Sequence, residues 1–423
     1  MTSPLDALAE ERVDHRFKGL PPDAAGHTVG RLAAERRNLH TGGFTTPVLT
    51  LSAEALEHNL GTLARFAARH GLALAPHGKT SMAPQLFRRQ LDHGAWGITL
   101  AVPHQVRVAR AYGVPRVFLA NELVDPAALA WLAAEQDADP AFRCVTYVDS
   151  ERGVALMDAA LRAAGARRPL EVVVELGAAG ARGGVRDAAQ AAAVAEAVAR
   201  TGTLRLTGVA GYEGELPGAD ADGVREWLAA LCALAVEFDR AGRFADTREI
   251  IVSAGGSAWF DLVAEVFASL PALSRPVLRL LRSGAYLSHD DGRYREVTPF
   301  NRVPGEGSLR PAFRLWTQVV SRPEPGLALL NAGKRDLAYD LGLPLVHTVR
   351  TPEGQERPGA GLVVRRLADQ HAFLTVAGQA RLPEVGDWVA LGMSHPCTIF
   401  EKWPLIPEVA ADGTVVDYIR TFF

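Results

Sequence analysis

The segment Ser394-His-Pro-Cys397 holds a histidine and a cysteine one residue apart. Imidazole with thiolate is a donor pair suited to zinc. In an extended segment side chains alternate with period 2, so His395 and Cys397 would face one ion together. Two protein ligands leave positions for water and substrate, as a catalytic Lewis acid requires. A buried cysteine beside a structural histidine is the other reading of this spacing. Lysine offers a second chemistry, because its amine can form an imine or act as a neutral base. Of 45 basic residues only Lys18, Lys79, Lys334 and Lys402 are lysine. Lys79 lies in Leu72-Ala-Leu-Ala-Pro-His-Gly-Lys-Thr80, just past an apolar run. There, partly desolvated, it would have a lowered pKa and attack an aldehyde. His77 can orient a ring or accept a proton, and Gly78 permits a close backbone turn. A lysine in a solvated loop is the alternative.

Anion chemistry is suggested by Val252-Ser-Ala-Gly-Gly-Ser257, which precedes a helical pattern. The N–H groups of Gly255 and Gly256, flanked by Ser253 and Ser257, together with a helix N-terminus, suit a phosphate dianion. A plain glycine turn is the alternative. Glu175-Leu-Gly-Ala-Ala-Gly-Ala-Arg-Gly-Gly184 places Arg182 on a glycine-rich loop, where it can serve a ligand or pair with Glu175. Tyr212 and Tyr286, taken by themselves, read as aromatics at strand ends. Asp336 lies in the polar turn Asn331-Ala-Gly-Lys-Arg-Asp-Leu-Ala-Tyr-Asp340, ordinarily a solvated loop.

These residues need elements to hold them. Short apolar runs alternate with amphipathic stretches from residue 46 onward. Strands are expected at Pro47–Leu51, Leu72–Pro76, Gly97–Ala101, Val117–Ala120, Arg143–Val148, Leu170–Leu176, Leu204–Ala210 and Glu249–Ser253. Eight strand–helix units predict an α/β fold, a closed parallel (β/α)8 barrel, with Lys79 after the second strand and the Gly-Gly loop after the eighth. A doubly wound sheet is the rival, but no GxGxxG turn follows the first strand. Beyond about residue 275 Pro and Gly increase, and strands at Phe313–Ser321, Leu327–Asn331, Gly361–Leu367 and Trp388–Leu391 predict a mostly β domain.

Composition narrows the class. The 423 residues, 48% hydrophobic and 22% charged with a net charge of −3, fit a globular chain of two domains. No basic tract points to nucleic acid, and no apolar stretch is long enough to cross a membrane. The first residues lack the pattern of a signal peptide. Three widely spaced cysteines, Cys144, Cys232 and Cys397, fit a reducing cytoplasm rather than a disulfide framework.

The strand at Thr46–Leu51, the helix with His58-Asn59 and the Pro76-His-Gly-Lys-Thr80 turn resemble the start of the fold-type III pyridoxal-phosphate enzymes. Within them the chain looks most like the D-serine dehydratase and D-threonine aldolase branch. The resemblance runs from about residue 44 to the C-terminus. It implies an alanine racemase-like barrel over 44–280 and a D-serine dehydratase-like β domain over 281–423. Residues 1–43 would be an extension packed on the β domain. It also implies that Lys79 carries pyridoxal phosphate as a Schiff base, with the Gly-Gly loop on its phosphate. Arg182 would face the pyridine nitrogen and keep it unprotonated, Tyr212 and Tyr286 would lie around the cofactor, and Asp336 near the substrate entrance. His395 and Cys397 would bind zinc, or manganese or magnesium. The aldolase branch carries His-x-Asp here, so Cys397 favours a dehydratase acting on a D-amino acid such as D-serine or D-threonine. The alternatives are a retro-aldol cleavage, a racemase with Tyr286 as second base, a non-catalytic cofactor carrier, and a Schiff-base aldolase without cofactor. A head-to-tail homodimer, with each site between one barrel and the partner's β domain, is the implied assembly.

Overall fold

The computed structural model describes residues 4–423. Strand β1 (Val48–Ser52) is followed by β2 (Ala73–Leu74), β3 (Ile98–Leu100), β4 (Arg116–Glu122) and β5 (Arg143–Val148). Then come β6 (Leu170–Leu176), β7 (Leu204–Gly211), β8 (Ile250–Ala254) and β9 (Val277–Leu281). Strands β2 to β9 form one parallel sheet in the order β2-β9-β8-β7-β6-β5-β4-β3. Its two edges meet: the Trp96 N–H donates to Leu74 O at 2.7 Å and the Thr99 N–H to Pro76 O at 2.9 Å. The result is a (β/α)8 barrel. Alternation along each strand explains its two layers. Phe118, Val145, Tyr147, Val173, Ile251 and Leu280 point inward and pack together. Their neighbours Leu119, Cys144, Val172, Val174 and Val252 point outward into the core shared with the helices. The helices start where the sequence supplies caps. Ser52, Asp125, Ser150, Asp187 and Asp220 each accept a hydrogen bond from the N–H three residues on, worth about 1 kcal/mol apiece.

The remaining strands are β10 (Phe313–Glu324), β11 (Leu327–Leu330), β12 (Leu345–Arg350), β13 (Glu356–Pro358), β14 (Leu362–Leu367), β15 (Ala372–Val376), β16 (Trp388–Gly392), β17 (Leu405–Val409) and β18 (Val415–Arg420). β10, β11, β15, β14, β12 and β16 pair in a ring that returns to β10, and β13 pairs with β12. This is the mostly β domain expected from the C-terminal sequence. From β10 the sheet continues through β1, β17 and β18.

The place of β1 differs from the sequence expectation. It was the first barrel strand in that reading, yet it pairs antiparallel with β10 and parallel with β17. Its run of buried residues suits a position covered on both faces in either sheet, so the pattern does not choose between them. The eighth barrel place goes to β9, whose apolar run is interrupted by Arg279. Lys79 therefore follows the first barrel strand, and the Gly-Gly loop the seventh.

The two sheets are tied to each other. Asn59, fully buried on the helix after β1, donates to Leu287 O at 2.9 Å and to Arg310 O at 2.8 Å. Arg89, on the helix Pro84–Asp92, grips Glu408 of β17 through two hydrogen bonds of 2.6 and 2.5 Å. Residues Val13, Phe17, Leu20, Leu32 and Leu39 pack on Val48, Leu405, Val415 and Tyr418. Among the described residues no helix is long and apolar enough to cross a membrane.

Candidate active site

Lys79 sits in the three-residue turn Gly78–Thr80 just beyond β2. No side chain fits at Gly78, where a Cβ would lie 2.7 Å from both Ile98 and Phe87. The backbone is thereby pressed against the barrel and Lys79 is held at its mouth. Burial, reinforced by the cations Arg182 and Arg282 against the opposing Cys397 and Glu215, lowers the Lys79 pKa below the ordinary lysine value. The other lysines are engaged elsewhere. Lys18 pairs with Asp336 at 2.7 Å, Lys334 lies over the Tyr339 ring, and Lys402 is 3.7 Å from Glu401. His77 is held neutral well below its usual range, first by burial and then by Lys79 and Arg282. Its Nδ1 has no partner among the described residues.

The His-x-Cys pair reaches the same mouth. Cys397 Sγ lies 3.3 Å from Thr80 Oγ1, next to Lys79, although 317 residues separate the two in sequence. The lysine turn and the His-x-Cys pair thus meet within one chain. The segment is not extended, as period 2 required. His395 has a left-handed backbone (φ 61°), and Cys397 begins the short helix Cys397–Phe400. A turn, not strand alternation, brings the two side chains together. The Asp290 carboxylate stabilises that turn by accepting from the His395 N–H at 2.9 Å. His395 Nδ1 contacts Asp340, which also accepts from Thr398 Oγ1 at 2.9 Å. The Cys397 sulfur first, and Asp340 after it, raise the His395 pKa to about 9. With Nδ1 turned to a carboxylate, Nε2 and the sulfur remain as the donor pair, the arrangement found around metal-bound histidines.

Several expected residues have partners that the sequence did not show. Arg182 is exposed at the rim, its guanidinium 5.5 Å from the Tyr212 ring, and it pairs with Glu215 at 2.6 Å and not with Glu175. Ser253 is fully buried; its hydroxyl donates to Leu280 O at 2.9 Å and accepts from Arg282 Nε at 2.8 Å. Tyr286 lies inside the fold with its hydroxyl accepting from Gln90 at 3.3 Å. Tyr212 packs on Gly256, where a Cβ would lie 2.6 Å from its ring. Asp336 is buried. It accepts from Lys18, from the Gly333 N–H at 3.1 Å and from Gln370 at 2.9 Å, and is taken up in holding its own turn. The N–H groups of Gly255 and Gly256 donate to the two oxygens of Glu213 at 2.9 and 2.7 Å. Beyond them, the N–H groups of Ser257, Ala258 and Trp259 have no acceptor among the described residues. Ser257 also lines a small cavity together with Ala285, Tyr286 and Tyr294.

The model for "Alanine racemase, N-terminal domain" matches residues 51–268, more than half of the chain. The chain belongs to this family. A second model, "Putative serine dehydratase domain", matches residues 312–409. The first match contains Lys79 and the Gly-Gly loop, the second His395 and Cys397. A D-threonine aldolase of an Arthrobacter species is 27% identical over 380 residues, covering 88% of this chain and 90% of its own. The crystal structure of D-threonine aldolase from Filomicrobium marinum superposes with a TM-score of 0.75 at 26% identity, covering 90% of this chain and 95% of that one. D-threo-3-hydroxyaspartate dehydratase from Delftia sp. HT23 gives a TM-score of 0.69 at 20% identity, covering 91% and 99%.

Four residues of this alanine racemase-like barrel hold places that the sequence did not assign. Arg282 is its buried cation, 5% exposed, bonded to Ser253 and Gly211 and lying over Phe118 and Tyr147. Its signals in the sequence are its place in Arg282-Ser-Gly-Ala-Tyr-Leu-Ser-His-Asp290, which resembles a family motif around the cofactor, and its position directly after β9. Glu122, Asp149 and Glu175 bring carboxylate oxygens within 4.8 Å of one another at the ends of β4, β5 and β6. Burial, and then Glu122, raises the Glu175 pKa to about 8. Glycine 183 lets the loop after β6 close over them, since a Cβ there would lie 2.8 Å from Glu175.

Proposed function

We propose that the chain is a pyridoxal-phosphate and metal-dependent lyase that dehydrates a small β-hydroxy D-amino acid to a 2-oxo acid and ammonia. The observation that carries this is the meeting of Lys79 with His395 and Cys397 at one barrel mouth. The residues fit the cofactor. An amine of lowered pKa suits an aldehyde, unused N–H groups at a helix start suit a phosphate, and the buried Arg282 suits the electron-rich edge of a pyridine ring. When bound, pyridoxal phosphate would supply electron withdrawal from Cα of the substrate. Lys79, freed of its covalent role and of lowered basicity, is placed to take the Cα proton. His77, kept neutral beside it, adds no competing positive charge. A divalent ion held by His395 Nε2 and Cys397 Sγ would supply Lewis acidity to the β-hydroxyl. Asp340 fixes the imidazole for that task. Loss of the Cα proton and the β-hydroxyl removes one water, and hydrolysis of the resulting enamine returns one water and releases ammonia.

The His-x-Cys pair supports dehydration over aldol cleavage. Two solved variants of D-threo-3-hydroxyaspartate dehydratase replace a histidine and a cysteine two positions apart, and the cysteine variant is metal-free. The aldolase reading is favoured by the two relatives at 26–27% identity. D-threonine separates the two readings. Incubated with the protein, pyridoxal phosphate and zinc, it should give 2-oxobutyrate and ammonia. Glycine and acetaldehyde would establish the aldolase instead, and recovery of unchanged D-threonine together with D-serine would sink both.

A further inference from the structure

The Gly-Gly loop was expected to hold a phosphate through the N–H groups of Gly255 and Gly256. Both groups are already bonded to the Glu213 carboxylate, one to each oxygen, and Glu213 is 1% exposed. We infer that Glu213 is a fixed internal anion that reserves this N–H pair and leaves the cofactor phosphate the next groups along, at Ser257, Ala258 and Trp259. The inference rests on the proposal that the mouth holds pyridoxal phosphate.

Two features hold the carboxylate where it is. Glu213 begins the single turn Glu213–Glu215, and Glu215 is tied to Arg182 at 2.6 Å. The turn is also closed by Tyr212, which lies against both Gly214 and Gly256. A dianion placed on the same N–H groups would meet a buried carboxylate with no route out, and the two like charges would repel. What the carboxylate does is set the loop. Its two bonds draw residues 255–256 toward the end of β7, with Gly255 at φ 102°, a conformation that glycine adopts freely. The chain then turns so that the unused N–H groups precede the nine-residue helix Phe260–Ala268, whose first turn has no side-chain cap. Glu213 is thus a positioning residue, acting on the phosphate through the loop. A carboxylate is needed because both partners are donors. An amide would turn one donor against another.

The test compares the affinity of the full-length protein for pyridoxal phosphate and for pyridoxal, which has the same aldehyde without the phosphate. Glu213→Gln should weaken pyridoxal phosphate by about tenfold or more and leave pyridoxal nearly unchanged, as one buried donor loses its acceptor. Glu213→Asp keeps the charge with a shorter reach and should fall between; it carries the comparison if the glutamine variant does not fold. Equal or tighter binding of pyridoxal phosphate by Glu213→Gln would show that the carboxylate competes with the phosphate and would overturn the inference. Equal losses for both compounds would overturn it too, by showing general damage to the mouth. If the wild-type protein takes up neither compound, the cofactor reading itself fails.

Discussion

On one side of the barrel mouth the ends of β2, β8 and β9 present Lys79, a row of unused N–H groups and Arg282. Across it, the ends of β4, β5 and β6 present Glu122, Asp149 and Glu175. Both sides are built by the same device, inward-facing residues at the C-terminal ends of parallel strands, yet their electrostatics are opposite. Burial acts on both and disfavours charge on both: it lowers the lysine and raises Glu122 and Glu175. The first side is left with an amine ready to be neutral and with fixed dipoles that attract an anion. The second must hold a proton to relieve three converging acids. An anionic ligand therefore has one side of the mouth open to it, and Arg282, lying between the two, favours ionisation of Glu175 while disfavouring a charged Lys79.

The comparison breaks most completely at Lys79. Lys79→Ala should remove the cofactor absorbance band and lower turnover by about 10³–10⁴-fold. A band that persists would move the anchor to another lysine and leave the amine side without its function. Next in size is the metal wall. Cys397→Ala or His395→Ala should abolish metal content by mass spectrometry and cost about 10²–10³-fold in turnover, with the cofactor band retained. Full activity in a verified metal-free protein would return the pair to a structural role.

The smallest effect concerns the acidic side and is read as stability. The Glu175 pKa is raised from 4.5 to about 8 on folding. Between these values the folded chain keeps a proton that the unfolded chain has released. Stability contributed by that proton is present at low pH and is lost as pH rises through the window. Glu175→Gln cannot ionise and should flatten the decline between pH 5 and pH 8 by on the order of 2 kcal/mol, measured by urea unfolding. An unchanged slope would place the proton elsewhere and remove the contrast between the two sides.

The sequence by itself determined the local features and the residues whose chemistry is rare in this chain. The alternation of apolar runs and amphipathic stretches pointed to a parallel barrel, because strand and helix periods differ. Lys79 stood out because arginine supplies nearly all other positive charge, and His395-Pro-Cys397 because its donors are adjacent. Tertiary structure alone decided the choices between equivalents. Val48–Ser52 is apolar enough for either sheet, and only pairing with β10 and β17 placed it. One arginine of many, Arg282, became the buried cation because β9 ends inside the barrel, while Arg182 was left at the rim with Glu215. Asp340 rather than Asp336 met His395, and Glu213 rather than a ligand met the Gly-Gly loop. Such choices rest on which groups of like chemistry are brought within about 3 Å, a distance set by contacts between residues far apart in the chain.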